Sequence, residues 1–128
     1  MSTLTEEHIY LVQQYREMLD SIEEGFQYVI ASFQDYSKTE GDLVLSDIFS
    51  AFLQIAQVNQ DISIIYQKDS SMISAITAYE DVLLAAEKMD GLFEKSQEKT
   101  EIVQQFLYPA YKQWYHTINP LLIAHVQQ

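Results

Sequence analysis

Apolar residues recur at alternating spacings of three and four along almost the whole chain, and this pattern limits what the chain can fold into. Such spacing keeps apolar side chains on one side of an α-helix. It predicts a first helix from about residue 5 to residue 36, with Thr5, or Thr3 together with Glu6, as its N-terminal cap. The stripe of this helix consists of Val12, Tyr15, Leu19, Ile22, Phe26, Val29 and Phe33, extended by His8.

Two further stripes predict a second and a third helix. In the loop 37–42 between the first two helices, we expect Gly41 to take a positive φ and Asp42 to cap the second helix. We expect the third helix to run through Gly91, because one glycine costs a helix only about 1 kcal/mol. The stripe of the second helix is Val44, Ile48, Ala51, Ile55, Val58, Ile62 and Ile65, flanked by Leu45, Phe49, Phe52 and Ala56; that of the third is Met72, Ala75, Tyr79, Val82, Ala86, Met89 and Phe93.

The fourth helix contains two prolines. Pro109 predicts a kink or a restart near Tyr108, and Asn119 followed by Pro120 predicts a separate terminal turn or short helix over 120–127. Four helices of similar length joined by short loops predict one domain, residues 1–128, folded as an up-down-up-down antiparallel four-helix bundle. The apolar stripe of the fourth helix is Val103, Leu107, Ala110, Trp114 and Leu121, with Tyr111, Tyr115, Ile118 and Leu122 beside it.

The sequence shows no pattern of catalytic residues. It has no cysteine, and therefore no thiolate nucleophile or thiolate metal ligand. No glutamate stands three residues before His8, His116 or His125, and no two histidines are four apart, so the pairs that bind metals in helical bundles are missing. Phosphate-binding and nucleophile-elbow motifs are also absent. We expect no enzyme activity, no metal and no cofactor.

The charge of the chain limits its partners. Nineteen acidic and seven basic residues give a net charge of −12, which repels nucleic acid and anionic lipid. No apolar stretch approaches the roughly 20 residues that cross a bilayer, and the N-terminus has no positively charged segment of the kind that starts an export signal. We expect a cytoplasmic protein that binds neither nucleic acid nor a membrane directly.

Two groups of residues are candidates for binding a partner. Glu17, Asp20 and Glu24 share one side of the first helix, either as a solvated face, which is the more common case, or as an acidic row for a basic partner. The other group is aromatic. It comprises Tyr108, Tyr111, Trp114 and Tyr115. Such residues are enriched in interfaces but also fill cores, and helical spacing favours the core for some of them.

Asn59 flanks the stripe of the second helix, and the sequence leaves its role open. It could fix the register of the helices through a buried hydrogen bond, or lie partly solvated at the flank, which we favour. A second open question is self-association, since the apolar tail could dock on the bundle or on a second copy as a homodimer. The tail residues are Leu121, Leu122, Ile123 and Val126.

The sequence therefore predicts a non-catalytic protein-interaction module, such as an adaptor, a chaperone or a regulator. In size, acidity and helix content the chain resembles flagellar export chaperones, which implies binding to a secreted or unstable protein. One alternative is an acidic inhibitor that mimics nucleic acid and binds a basic nucleic-acid-binding protein. Another is a small-ligand sensor with a tyrosine-lined cavity near Pro109.

Overall fold

The structure, a computed structural model, describes residues 5–35 and 37–126, without the side chains of His125 and Val126. Helix is the only regular structure in this part of the chain, so the predicted all-α bundle is confirmed. α3 and α4 together form the third arm, while α5, a π-helical turn and α6 form the fourth. The elements are α1 Glu6–Ser32, α2 Gly41–Ile65, α3 Ser70–Thr77, α4 Glu80–Glu87, α5 Ser96–Ile102, the π-helical turn Val103–Leu107 and α6 Tyr108–Val126.

Each arm packs on two others around a common core. α1 contacts α2 and α6, α6 contacts α3 and α4, and α3 contacts α2. The contacts between α1 and α2 run in opposite chain directions: Tyr15 meets Asn59, and ten residues later Gly25 faces Ile48. These two helices are therefore antiparallel neighbours. The up-down-up-down order of all four arms stays a prediction.

α1 follows the sequence closely. The Thr5 hydroxyl accepts a hydrogen bond from the His8 N–H at 3.1 Å, which confirms Thr5 as the cap; Thr3 lies outside the described residues. The helix ends at Ser32, four residues before the predicted limit. Phe33 is half-buried at its C-terminal cap. The other six stripe residues are buried.

The start of α2 corrects two predictions. Gly41 is the first helical residue, so Asp42 does not cap the helix but forms an ion pair with Lys99 at 2.6 Å. Gly41 does not have a positive φ. Glycine is required at this position because there is no room for a side chain. A Cβ there would lie 2.3 Å from the Ser32 Oγ. The glycine with a positive φ is Gly91, at 76°.

The predicted stripe of α2 was centred on the wrong edge of its apolar face. The face is wide because α2 contacts both α1 and α3. Residues at intervals of seven along its α1 side, namely Val44, Ala51, Val58 and Ile65, are only half-buried. The buried residues of the helix are Gly41, Leu45, Ile48, Phe52, Ile55, Asn59 and Ile62.

The third arm is two short helices rather than one. Between α3 and α4, the Tyr79 N–H bonds to the Ile76 carbonyl at 3.1 Å and the Val82 N–H to the Tyr79 carbonyl at 2.9 Å. These bonds span three residues, the tighter 3₁₀ pattern. α4 ends at Glu87, so the prediction that the helix continues through Gly91 is wrong. The left-handed φ of Gly91 reverses the chain there instead.

The fourth arm continues past Pro109 without a separate restart, and a π-helical turn directly precedes Tyr108 and the proline. The predicted kink there stays a prediction. The Tyr108 N–H bonds to the Val103 carbonyl five residues back. This turn holds one extra residue, which advances the following side chains by about 100°. The residue after Leu107 on the buried side is therefore Tyr111, and Ala110 is only half-buried.

The separate terminal helix predicted at Pro120 is also wrong. α6 continues to Val126 with Pro120 inside it. The missing N–H removes one hydrogen bond near the end of the helix. Ile118 and Leu122, on either side of Pro120, are both fully buried, and their packing holds the last turns against the bundle.

α2 is the one helix in the described part of the chain that is long and apolar enough to cross a membrane by length and composition. A core helix of a soluble protein meets the same test. The buried side of α2 packs on α1 and α3, which fits a soluble protein.

Candidate interaction surfaces

Two members of the aromatic group lie inside the bundle. Tyr111 is 0% exposed and Trp114 is 3% exposed. The Tyr111 hydroxyl donates to the Leu19 carbonyl at 2.6 Å, and the Trp114 Nε1–H donates to the Ala75 carbonyl at 2.9 Å. Both polar ends are therefore satisfied in the core. These two side chains join α6 to α1 and α3 and offer no surface to a partner.

The other two aromatic residues close the edge of the contact between α6 and α1. The half-buried Tyr108 and Tyr115 donate hydrogen bonds to the carboxylates of Glu23 and Asp20, respectively. Burial, followed by the hydrogen bond to the carboxylate, raises the pKa of each tyrosine to about 12. Tyr108 also stacks on Phe26, with ring centroids 5.1 Å apart. The hydroxyls of both tyrosines are therefore bonded to carboxylates of the same chain.

The acidic row is divided by the structure. Asp20 is bound by Tyr115, whereas Glu17 and Glu24 are exposed on the outer side of α1. Of the predicted site residues, the structure pairs Asp20 with Tyr115 and places the Tyr111 ring in contact with the rings of Trp114 and Tyr115, with centroids 5.9 Å apart in both cases. Glu17 instead borders a groove between α1 and α2.

This groove is a site that the sequence reasoning missed. It is open, has a volume of about 550 Å³, and has Tyr15 at its base. Glu17 and Ser21 lie at its border. The remaining lining is neutral although the protein is strongly acidic: Leu11, Gln14, Met18, Gln54, Gln57 and Val58. A sequence signal did exist, because these glutamines and apolar residues flank the stripes where charged residues are the norm.

The base of the groove is fixed by a buried polar pair. The Tyr15 hydroxyl donates to the Asn59 Oδ1 at 2.5 Å, and Asn59 is 8% exposed. Burial raises the pKa of Tyr15 far above its usual value. The solvated interpretation of Asn59 was therefore wrong. Its buried hydrogen bond sets the register of α1 against α2, because a shift of one residue would leave both polar groups unpaired.

A metal site needs several converging ligands. Among the residues that the structure describes, no three histidine, aspartate or glutamate side chains come together in a group that could hold a metal ion. His8 is half-buried at the start of α1 and His116 is exposed on α6. The side chain of His125 lies outside the described residues.

These features define an acidic all-α bundle with a closed aromatic interior and an open neutral groove. The chain belongs to the family described as a domain of unknown function, DUF8042, whose profile matches residues 10–117. It is similar to the uncharacterized protein YvzG of Bacillus subtilis (strain 168), with 25% identity over 109 residues, which cover 85% of this chain and 86% of that protein. No solved structure matches the chain significantly. The family spans all four arms, including both walls of the groove.

Proposed function

We propose that this protein is a non-catalytic protein-interaction module of the cytoplasm, and that α2 carries much of its binding surface. The observation behind this proposal is the outer side of α2. Leu43, Leu53 and Ile64 are each about two-thirds exposed there. Leu53 and Ile64 are eleven residues apart, three helical turns, and so point the same way. Large apolar side chains held in water on one helix favour burial against another protein.

The charge distribution supports the same surface. In its 25 residues α2 has three charged side chains, those of Asp42, Asp47 and Asp61. Interfaces are depleted of charge at their centres, because removing a charge from water costs free energy that is regained only through a partner charge. α1, by contrast, presents Glu17 and Glu24 to solvent. α2 is thus better suited than α1 to a desolvated contact.

The test is a pull-down with the tagged full chain from lysate of the source cell, washed in parallel at low and high salt, followed by reconstitution with the purified partner. We expect a stoichiometric partner that survives high salt and binds at least tenfold more weakly to the double variant L53Q/I64Q. The matched control is L84Q, which changes an exposed leucine on α4. Absence of any stoichiometric partner, or equal loss in L84Q, would contradict the proposal.

A second candidate function is the acidic inhibitor that mimics nucleic acid. It is favoured by the exposed carboxylates of Glu17 and Glu24 and by the net charge of −12. In that case the captured partner would be a basic nucleic-acid-binding protein that is lost at high salt. The variant E17Q/E24Q would weaken it, while L53Q/I64Q would not.

The small-ligand sensor stays an alternative prediction with less support. Tyr111 and Trp114 of α6 fill the core near Pro109, so a ligand bound there would have to displace packed side chains. Heat released on titration with a small molecule would favour this alternative over the other two.

A further inference from the structure

The groove between α1 and α2 extends along about three turns of α1. Its α1 wall runs from Leu11 to Ser21, eleven residues whose ten steps of 1.5 Å give roughly 15 Å of helix. Its volume is about 550 Å³, and it is open to solvent. Small molecules bind in concave pockets that bury most of their surface, whereas a groove between two helices accepts a third helix through residues spaced by three and four.

The walls combine an apolar band with polar rims that are neutral apart from Glu17. Leu11 and Met18 on α1 and Val58 on α2 are half-buried and supply the apolar contact. Gln14 and Gln57 are exposed beside them and can donate and accept hydrogen bonds. Such walls fit one apolar stripe flanked by polar side chains, which is the pattern of an amphipathic helix.

Acidic residues lie in and beside the groove, and Glu17 is one of its lining residues. Asp47, Gln54 and Asp61 are seven residues apart and share one side of α2, and of these three Gln54 lines the groove. On α1, Glu7 lies seven residues before Gln14 and so shares its side of the helix. All of these side chains are exposed, and none of the seven basic residues of the chain lines the groove. A partner helix that carries positive charge would therefore be favoured.

We propose that the groove between α1 and α2 binds a basic amphipathic helix of a partner protein, a proposal that rests on the interaction function argued above. The helix places its apolar stripe on Leu11, Met18 and Val58. Its lysine or arginine residues lie near Asp47 and Asp61. A second copy of this chain is disfavoured as the occupant, because it would bring a second net charge of −12 to an acidic border.

The experiment is site-specific photo-crosslinking in the source cell. The full chain carries the variant Gln57→p-benzoylphenylalanine in the groove, or Leu84→p-benzoylphenylalanine on α4 as the control. We expect the groove position to crosslink to one segment, identified by mass spectrometry, that is amphipathic at helical spacing and carries net positive charge. That segment is then synthesised as a peptide and titrated against the purified full chain.

The titration uses variants matched to each step of the argument. M18Q/V58Q is expected to weaken binding of the peptide at least tenfold, since it removes the apolar band, while L84Q leaves affinity unchanged. D47N/D61N is expected to slow association severalfold at low salt and to have little effect at high salt. Circular dichroism of each variant shows whether the bundle is intact. If M18Q/V58Q unfolds the bundle, M18A alone supplies the comparison.

Several outcomes overturn the groove proposal while leaving the interaction function standing. These are a crosslinked segment that is acidic or lacks an apolar stripe, a crosslink to a second copy of this chain, and a captured partner that crosslinks only through Leu84. An unchanged affinity of the peptide for M18Q/V58Q would also overturn the groove proposal. If the pull-down yields no stoichiometric partner, the interaction function itself fails.

Discussion

The two sides of α1 are covered in different ways. On the side facing α6, Tyr111 reaches the Leu19 carbonyl and Tyr115 reaches Asp20, so aromatic rings and their hydroxyls fill the contact. On the side facing α2, a close approach at Gly25 gives way to the open groove near Met18. Aromatic content therefore marks the closed side of this helix. The accessible side is lined by glutamine, methionine and valine.

The largest expected effect tests the closed aromatic interior, where α6 faces α3. Trp114→Ala is expected to lower the free energy of unfolding by about 3–5 kcal/mol, the usual cost of truncating a buried tryptophan. The change removes the hydrogen bond to Ala75 and the contact with the Tyr79 ring at 4.7 Å. Urea unfolding followed by circular dichroism measures it. His116→Ala, an exposed change on the same helix, should be nearly neutral, and equal losses in both variants would refute the internal position of Trp114.

A second prediction concerns the closed half of the contact between α1 and α2. Gly41→Ala is expected to cost about 2 kcal/mol through overpacking, because the new Cβ would meet the Ser32 Oγ. Removing that oxygen in S32A/G41A should recover part of the loss. Chemical denaturation of the two single variants and the double variant checks this. A G41A protein as stable as the original would show that α1 and α2 do not approach closely at this end.

Loss of the hydrogen bond between Tyr15 and Asn59 under the groove should have a smaller effect on the free energy of unfolding. Tyr15→Phe is expected to cost about 1 kcal/mol, because the buried Asn59 Oδ1 loses its donor. In the double variant Y15F/N59L the two changes should cost less than their sum, since no unpaired polar group remains. The measurement is a double-mutant cycle on the free energy of unfolding. Strict additivity would mean that the pair is not coupled.

The closed side should also respond to alkaline pH. The pKa of Tyr108 and of Tyr115 is about 12 in the folded protein, against 10.0 for an ordinary tyrosine. The unfolded chain therefore loses these protons first as the pH rises. The stability that they contribute is fully present below pH 10 and is lost between pH 10 and 12. Urea midpoints across this range should fall less steeply in Y108F/Y115F than in the original protein.

Thr117→Ala removes a non-ionising hydroxyl from the same helix and serves as the control for the pH experiment. Its stability should depend on pH as that of the original protein does. If Y108F/Y115F shows an unchanged slope, the two hydroxyls do not lie in the contact between α1 and α6.

The smallest effect is expected on the open side. Gln57→Ala changes an exposed groove residue with no packing role, so the free energy of unfolding should change by no more than about 0.5 kcal/mol. Thermal unfolding of Gln57→Ala, measured together with that of Trp114→Ala, checks this prediction. A loss of several kcal/mol would mean that the groove is part of the core and not a surface for a partner.

The part of the fold that could be predicted from the sequence is the part governed by local periodicity. The stripe from Val12 to Val29 defined α1, and Thr5 marked its start. The errors arose at residues whose conformation or exposure depends on a neighbouring helix. Gly41 was assigned a turn because glycine permits one, yet its role depends on Ser32, a residue of another helix. Pro109 was expected to kink the helix or restart it near Tyr108; the structure has a π-helical turn at that point and no restart, and Leu107 and Tyr111 on either side of the proline are both buried.

The candidate site was harder to predict than the fold. Tyr111 and Trp114 are of residue types that are common in interfaces, and the sequence left their role open. Trp114 is buried as the predicted stripe requires, whereas Tyr111 takes the buried position expected for Ala110 because the π-helical turn adds one residue before it. The groove, by contrast, is formed by ordinary residues of two helices that lie about 40 positions apart in the chain. The sequence shows glutamines beside the stripe of each helix, but only the packing of α1 on α2 brings them together in one groove.

The sequence by itself determined that the chain forms helices, that these helices bury one face, and that the protein carries strong negative charge. Each of these properties depends on residue type and on spacing within a few turns. The tertiary structure alone decided which apolar residues stay open to solvent, because exposure depends on how closely two helices approach. Gly25 and Gly41 bring α1 and α2 together at one end, and the pair of Tyr15 and Asn59 fixes their register beneath the groove.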